Sequence, residues 1–273
     1  MLRNRILTAL ILIPLVVAGV LMAPSNVLAV VFGLFVLLGA REMGRLGGLR
    51  GLLWQWLYAL GVGFLLAWAY LGLPFGAEWW LQAVAVVFWG VATLALLTRR
   101  RELAQVDTVR PLMLLLGALQ LMIAWLSVID LHRSGSEGPG LLLFLLVLIW
   151  VADSAAYFAG RTWGAHKLSP RVSPGKTWEG AGGAMAGALI CALVLWELGL
   201  TPLSPIALIF LCLLTAFVSI GGDLSESLLK RQAGLKDSGT LLPGHGGVLD
   251  RIDSLIAAAP VFTLGLYWLE QGI

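Results

Sequence analysis

Apolar residues fill this chain in long runs separated by short polar breaks, and the runs have the length of a bilayer crossing. A transmembrane helix needs about 20 consecutive, mostly apolar residues. Nine stretches meet or approach that length, at roughly 6–23, 27–41, 52–73, 79–98, 111–130, 140–160, 181–199, 203–221 and 252–270. The second is the weakest because it is short. The pattern predicts an all-α fold: a polytopic transmembrane helical bundle of about nine spanning helices.

The polar breaks test this map independently, because Lys and Arg concentrate in cytoplasmic loops. With a cytoplasmic N-terminus and strict alternation, the inside segments hold Arg3, Arg5, Arg41, Arg45, Arg50, Arg99, Arg100, Arg101, Arg110, Arg161, Lys167, Arg171, Lys176, Lys230, Arg231, Lys236 and Arg251. That is 17 of the 18 basic residues, with only Arg133 outside. One miscounted span would destroy the asymmetry. Arg3 and Arg5, an apolar run and Val27-Leu28-Ala29 also resemble a secretory signal, but the run is long for a signal core of 7–15 residues, so an uncleaved first helix is expected.

Composition agrees with the pattern. The 273 residues are 59% hydrophobic and only 12% charged, with mean hydropathy +0.92, whereas soluble domains carry about 25% charged residues. The 33 glycines suit close helix packing in a membrane and the 12 tryptophans suit its interfaces. A net charge of +3 does not point to nucleic acid, and none is expected as a partner. Cys191 and Cys212 both lie in apolar runs without metal-ligand spacing, as small buried hydrophobes do.

The predicted inside loops at 161–180 and 222–251 are longer than any outside loop, and they gather the polar groups. Both fall in a C-terminal transmembrane catalytic region, 131–273, which follows N-terminal transmembrane helices, 1–130. In the second loop basic residues and carboxylates alternate: Ser227, Lys230, Arg231, Lys236, Asp237, then His245-Gly246-Gly247, Asp250, Arg251 and Asp253. A nucleoside triphosphate with Mg²⁺ needs both kinds of group, carboxylates for the metal and cations for the phosphates. Gly246 and Gly247 let the backbone approach a ligand and offer amide donors. Asp250 and Asp253 fall three residues apart on one face at the start of the last helix. Asp223 ends the preceding span, so the two ends of the loop are expected to bring Asp223 and Asp250 together around a cation.

The first loop adds Lys167, Ser173, Lys176 and Thr177 as phosphate or nucleotide contacts. Asp153 interrupts a strongly apolar run just before it, where a carboxylate should face a polar cavity or a cation. Gly175-Lys176-Thr177 looks like the end of a P-loop, but the first required glycine is Pro170 and no strand precedes it, which excludes that reading. His166 and His245 have no second ligand at zinc spacing, and His245 reads better as a phosphate or base contact.

The run Ser227–Asp253 resembles the C-terminal signature of the phosphatidate cytidylyltransferases, also called CDP-diacylglycerol synthases, throughout and without a gap. Lys167-Leu168-Ser169-Pro170 and the stretch from Ser173 to Gly180 are also similar to the family. Gly175 stands where the family usually has lysine, which weakens the case for a phosphate contact there. The resemblance implies that CTP and phosphatidate give CDP-diacylglycerol and pyrophosphate, with Mg²⁺ and with K⁺ as a further cation. It implies Asp223 and Asp250 as paired metal aspartates, joined in the expected metal set by Asp153. Asp223, Asp250, Lys236 and Asp253 are the expected catalytic residues. Lys167, Ser173, Lys176, Thr177, Ser227, Lys230, Arg231, His245, Gly246, Gly247 and Arg251 are the expected substrate-binding residues. The expected partners are CTP, phosphatidate and membrane lipids, with a homodimer among the assemblies allowed, in the cell membrane with the site at the cytoplasmic face. Two other readings compete: a CTP-dependent lipid-alcohol kinase, which would release CDP, and a transporter with Asp153 and Asp223 along an ion path.

Overall fold

The computed structural model describes residues 13–74, 78–98, 108–239, 241 and 246–270. Nine helices lie among them: α1 (Ile13–Met22), α2 (Ser25–Leu46), α3 (Leu52–Gly72), α4 (Trp79–Thr98), α5 (Pro111–Arg133), α6 (Gly138–Trp163), α7 (Trp178–Leu198), α8 (Pro205–Gln232) and α9 (Leu249–Glu270). Eight are long and apolar enough to cross a membrane, and α1 is shorter within the described residues. The all-α bundle therefore stands as expected, and Val27, Leu28 and Ala29 lie in the first turns of α2.

Three boundaries differ from the hydropathy pattern. Helix α2 continues past position 41 to Leu46, carrying Arg41, Glu42 and Arg45 within the helix. Helix α6 continues to Trp163 and takes in Arg161, whose guanidinium donates to the Tyr157 hydroxyl at 2.9 Å. Helix α8 runs on from the expected end at 221 to Gln232, so Asp223, Ser227, Lys230 and Arg231 are helical residues rather than loop residues. At 1.5 Å per residue its 28 residues reach about 42 Å, well beyond a hydrocarbon core of about 30 Å. Good helix formers and the Glu226–Lys230 pair at i,i+4 sustain the extra turns. Gly234, at φ +69°, then ends the helix, with the Leu235 N–H reaching back to the Lys230 carbonyl at 2.8 Å.

The one sheet among the described residues is a short antiparallel hairpin, β1 (Lys167–Ser169) with β2 (Ser173–Thr177), an addition to the expected all-helical chain. Lys167 pairs with Thr177 and Ser169 with Ser173. Its base is tied to the start of α7: Trp178 N–H donates to the His166 carbonyl at 2.9 Å, and His166 Nδ1 lies 2.6 Å from Glu179 Oε1. That pair gives His166 a structural partner. Thr177 is the α7 N-cap, accepting from Gly180 N–H at 3.1 Å, an interaction of about 1 kcal/mol.

The apolar core lies where α5, α6, α8 and α9 meet, around Leu121, Leu142, Leu145, Leu208, Leu211 and Phe262. Close packing of α6 on α7 and of α8 on α9 sets the geometry of the polar end. At Gly222 a Cβ would sit 2.6 Å from the Asp253 carbonyl and 2.9 Å from the Ala257 Cβ, so only glycine lets α8 and α9 approach there. This crossing lies immediately beside Asp223.

Candidate functional site

The polar residues of α6, α8, α9 and the hairpin converge at one end of the bundle. Lys176, on β2, extends to α8 and pairs with Asp223 Oδ2 at 2.5 Å. Ser227, one turn along α8, donates to Asp223 Oδ1 at 3.3 Å. The Asp223 charge acts directly on both Asp153 of α6 and Asp253 of α9, and that of Lys176 acts on the same two groups. Three helices and one hairpin thus supply a single electrostatic cluster.

About two helical turns beyond Asp223, towards the end of α8, Lys230 lies between two carboxylates. Its ammonium is 2.5 Å from Asp250 Oδ1 and 3.1 Å from Glu226 Oε2. The other oxygen of Asp250 accepts three donors: Ser238 N–H at 3.0 Å, Ser238 Oγ–H at 2.9 Å and Gly247 N–H at 2.8 Å. Gly246, at φ +85°, makes the turn that brings the Gly247 amide round to Asp250. The expected glycine amide donor therefore exists, but it faces the chain's own carboxylate. The charges of Asp253 and Asp250 both act on Glu226.

The expected meeting of Asp223 and Asp250 takes a more distributed form. Each carboxylate has its own lysine, and Glu226 and Asp253 lie in the chain of charges between them. No three His, Cys, Asp or Glu side chains among the described residues are already disposed as a metal site. The donor set nevertheless suits a hard cation. Glu226 Oε1 is buried with no donor among the described residues, and the Asp253 charge acts on the same group, so the acceptor oxygens there call for a proton or a cation.

The remaining expected residues divide by position. Arg231 leans on the hairpin, its Nε donating to the Val172 carbonyl at 3.4 Å. Ser173 and Lys167 lie on the hairpin strands, Lys167 exposed. Lys236 is exposed on the connection after α8, and Arg251 is exposed in the first turn of α9. His245 lies outside the described residues. Thr177, buried and occupied as a helix cap, is a less accessible nucleotide contact than its motif suggests.

Three residues of this cluster carry no local mark in the sequence pattern. Glu226 lies in the part of α8 beyond the apolar run, three residues after Asp223 and four before Lys230, and Ser238 lies in the connection between α8 and α9. Glu42 adjoins Arg41 in a segment that reads only as a basic helix end.

Comparison with known proteins bears directly on this arrangement. The model of the Cytidylyltransferase family matches residues 3–269. This chain belongs to that family. It is 42% identical over 271 residues to the phosphatidate cytidylyltransferase of Pseudomonas aeruginosa, covering 98% of this chain and 97% of that protein. It is 36% identical to the phosphatidate cytidylyltransferase of Haemophilus influenzae, covering 96% and 98% of the two chains. It is 35% identical to that of Bacillus subtilis, covering 97% and 98%. The family match spans all nine helices, so the acidic and basic cluster between α6, α8 and α9 belongs to a nucleotidyltransferase.

Proposed function

We propose that this chain transfers the cytidylyl group of CTP to phosphatidate, giving CDP-diacylglycerol and pyrophosphate at the cytoplasmic face of the cell membrane. The observation that carries this reading is the pairing of Lys176 with Asp223 and of Lys230 with Asp250, each at 2.5 Å, at one end of a membrane bundle. Phosphate groups compete for such ammonium groups, and both substrates carry phosphates. Full-length similarity to proteins named phosphatidate cytidylyltransferase supports the choice of substrates.

The chemistry asks for no side-chain nucleophile. A phosphate oxygen of phosphatidate attacks the α-phosphorus of CTP, the bond from that phosphorus to the bridging oxygen of the β-phosphate breaks, and pyrophosphate leaves. The protein's tasks are alignment and charge neutralisation. Lys176, on an accessible hairpin, is placed to receive phosphate oxygens, and Lys230 to hold a second phosphate beside Asp250. Ser173, Lys167, Lys236 and Arg231 extend the basic surface around them. Exposed Tyr157, Phe158, Trp163 and Trp178 flank the hairpin, as aromatic residues do at a bilayer surface, so acyl chains can remain in lipid while the headgroup reaches the lysines.

Mg²⁺ is the proposed cofactor, with K⁺ as a further cation. Asp153, Asp223, Asp253 and Glu226 would hold it together with Asp250, once Lys176 or Lys230 turned from its carboxylate to phosphate. A divalent cation there neutralises phosphate oxygens of the triphosphate and of the departing pyrophosphate.

The test is a nucleotide panel with phosphatidate in liposomes, using label in the cytidine and in the γ-phosphate. Labelled CDP-lipid with released pyrophosphate is expected for CTP alone. Release of CDP with a phosphorylated lipid alcohol would identify a kinase instead.

A further inference from the structure

Glu42 makes the longest-range polar connection to this site. It sits on α2, only 6% exposed, some two hundred residues before the groups it touches. Its Oε1 accepts the Val248 N–H at 3.2 Å, and its Oε2 accepts the Leu249 N–H at 2.8 Å and the Ser238 hydroxyl at 2.9 Å. Val248 and Leu249 are the turn at which α9 begins, two residues and one residue before Asp250. A carboxylate at this point satisfies helix-end amides and lies favourably against the positive end of the α9 dipole.

The Ser238 hydroxyl is also 2.9 Å from Asp250 Oδ2, so its single proton is shared between Glu42 and Asp250. Both flanking chain segments are shaped around the Glu42 carboxylate. A Cβ at Gly239 or at Gly247 would overlap it, so the backbone closes on both sides of this group. Among the described residues, the donors reaching Glu42 come from the start of α9, which carries Asp250, and from Ser238, which hydrogen-bonds Asp250. Helix α2 itself is held separately, by buried Leu28, Val36, Ala40 and Met43 in the apolar core.

We infer that Glu42 is a positioning residue for cytidylyl transfer, fixing Asp250 through Ser238 and through the first turn of α9. The inference rests on the proposed function for its kinetic consequences. Among the described residues two backbone N–H groups and a hydroxyl face it, so a carboxylate, with an acceptor oxygen on each side, fits the place. A glutamine would keep one acceptor oxygen but turn an NH₂ towards an N–H or the hydroxyl. A displaced Asp250 would then lose catalytic rate while the substrate phosphates still met Lys176 and the surrounding basic residues.

The test compares full-length wild type with E42Q, S238A and the double variant in liposomes, scoring kcat, KM for CTP and for phosphatidate, melting temperature and amide hydrogen exchange. E42Q is expected to lower kcat about 10- to 100-fold, as small misplacements of reacting groups do, with both KM values within about threefold. Its melting temperature should stay within about 4 °C. The Val248 and Leu249 amides should exchange faster. Adding S238A to E42Q should lower kcat by no more than about threefold, because both changes break one connection. Wild-type kcat in E42Q with protected amides overturns the inference. So do fully multiplicative losses in the double variant, or a kcat loss that tracks melting temperature and recovers on cooling. A wild type that makes no CDP-lipid defeats the functional reading separately, while amide exchange, which needs no substrate, still decides whether Glu42 holds the turn.

Discussion

Asp223 and Asp250 carry the same chemical group, on neighbouring helices at the same end of the bundle, and the protein holds them by opposite means. Asp250 is nearly enclosed, its side chain 8% exposed, and three donor groups besides Lys230 fix its two oxygens. Asp223 is 33% exposed and depends on one lysine from a hairpin and a long hydrogen bond from Ser227. A carboxylate saturated by backbone donors is rigid, whereas one paired with a flexible side chain can exchange partners at little cost. The deep half of the site is therefore held rigidly, and the half beneath the hairpin is the part whose groups exchange partners more readily.

The strongest way to break this contrast is to remove the charge on the buried side. D250N should reduce turnover about 10³-fold or more, on the scale of losing a charge-stabilising group in phosphoryl transfer. It should also destabilise the protein by roughly 3 kcal/mol, because Lys230 is left with Glu226 alone in a poorly solvated place. Steady-state kinetics and thermal melting in detergent measure the two effects. Near-native turnover would mean that the buried half is only a structural pin.

D223N should separate activity from stability. Turnover is expected to fall about 10²-fold, comparable to losing one electrostatic contact to a transition state. Stability should change by less than about 1 kcal/mol, as for other partly exposed ion pairs. A large melting shift would place Asp223 with Asp250 among the rigidly held groups. The smallest effect is expected from K176A, which should raise KM for CTP or phosphatidate about tenfold, equivalent to about 1.4 kcal/mol of binding. Its melting temperature should be almost unchanged. Unaltered kinetics at low substrate would take the hairpin out of the binding surface.

The regions also differ in how far their sequence betrays them. Asp250, Asp253 and the glycines before them stand in a dense polar run between apolar ones, so their importance is visible locally. Lys176 and Asp223 were both visible as candidates, but their pairing was not, because it depends on where the hairpin folds back over α8. Glu226 was concealed by the misplaced end of α8. Hydropathy registers where a helix leaves the apolar layer, but the helix itself persists until its backbone hydrogen bonding is interrupted, here at Gly234.

What the sequence by itself determined is the membrane class, the helical bundle and the concentration of phosphate-handling chemistry in the C-terminal half. Each follows from run length, from the cost of unpaired backbone and charge in lipid, and from residue types close together in the chain. Only the tertiary structure decided that α8 and α9 cross at Gly222, that each principal aspartate has its own lysine, and that Glu42 grips the start of α9. Those contacts join residues as much as two hundred positions apart, and no local pattern of polar and apolar residues encodes a partner at that distance.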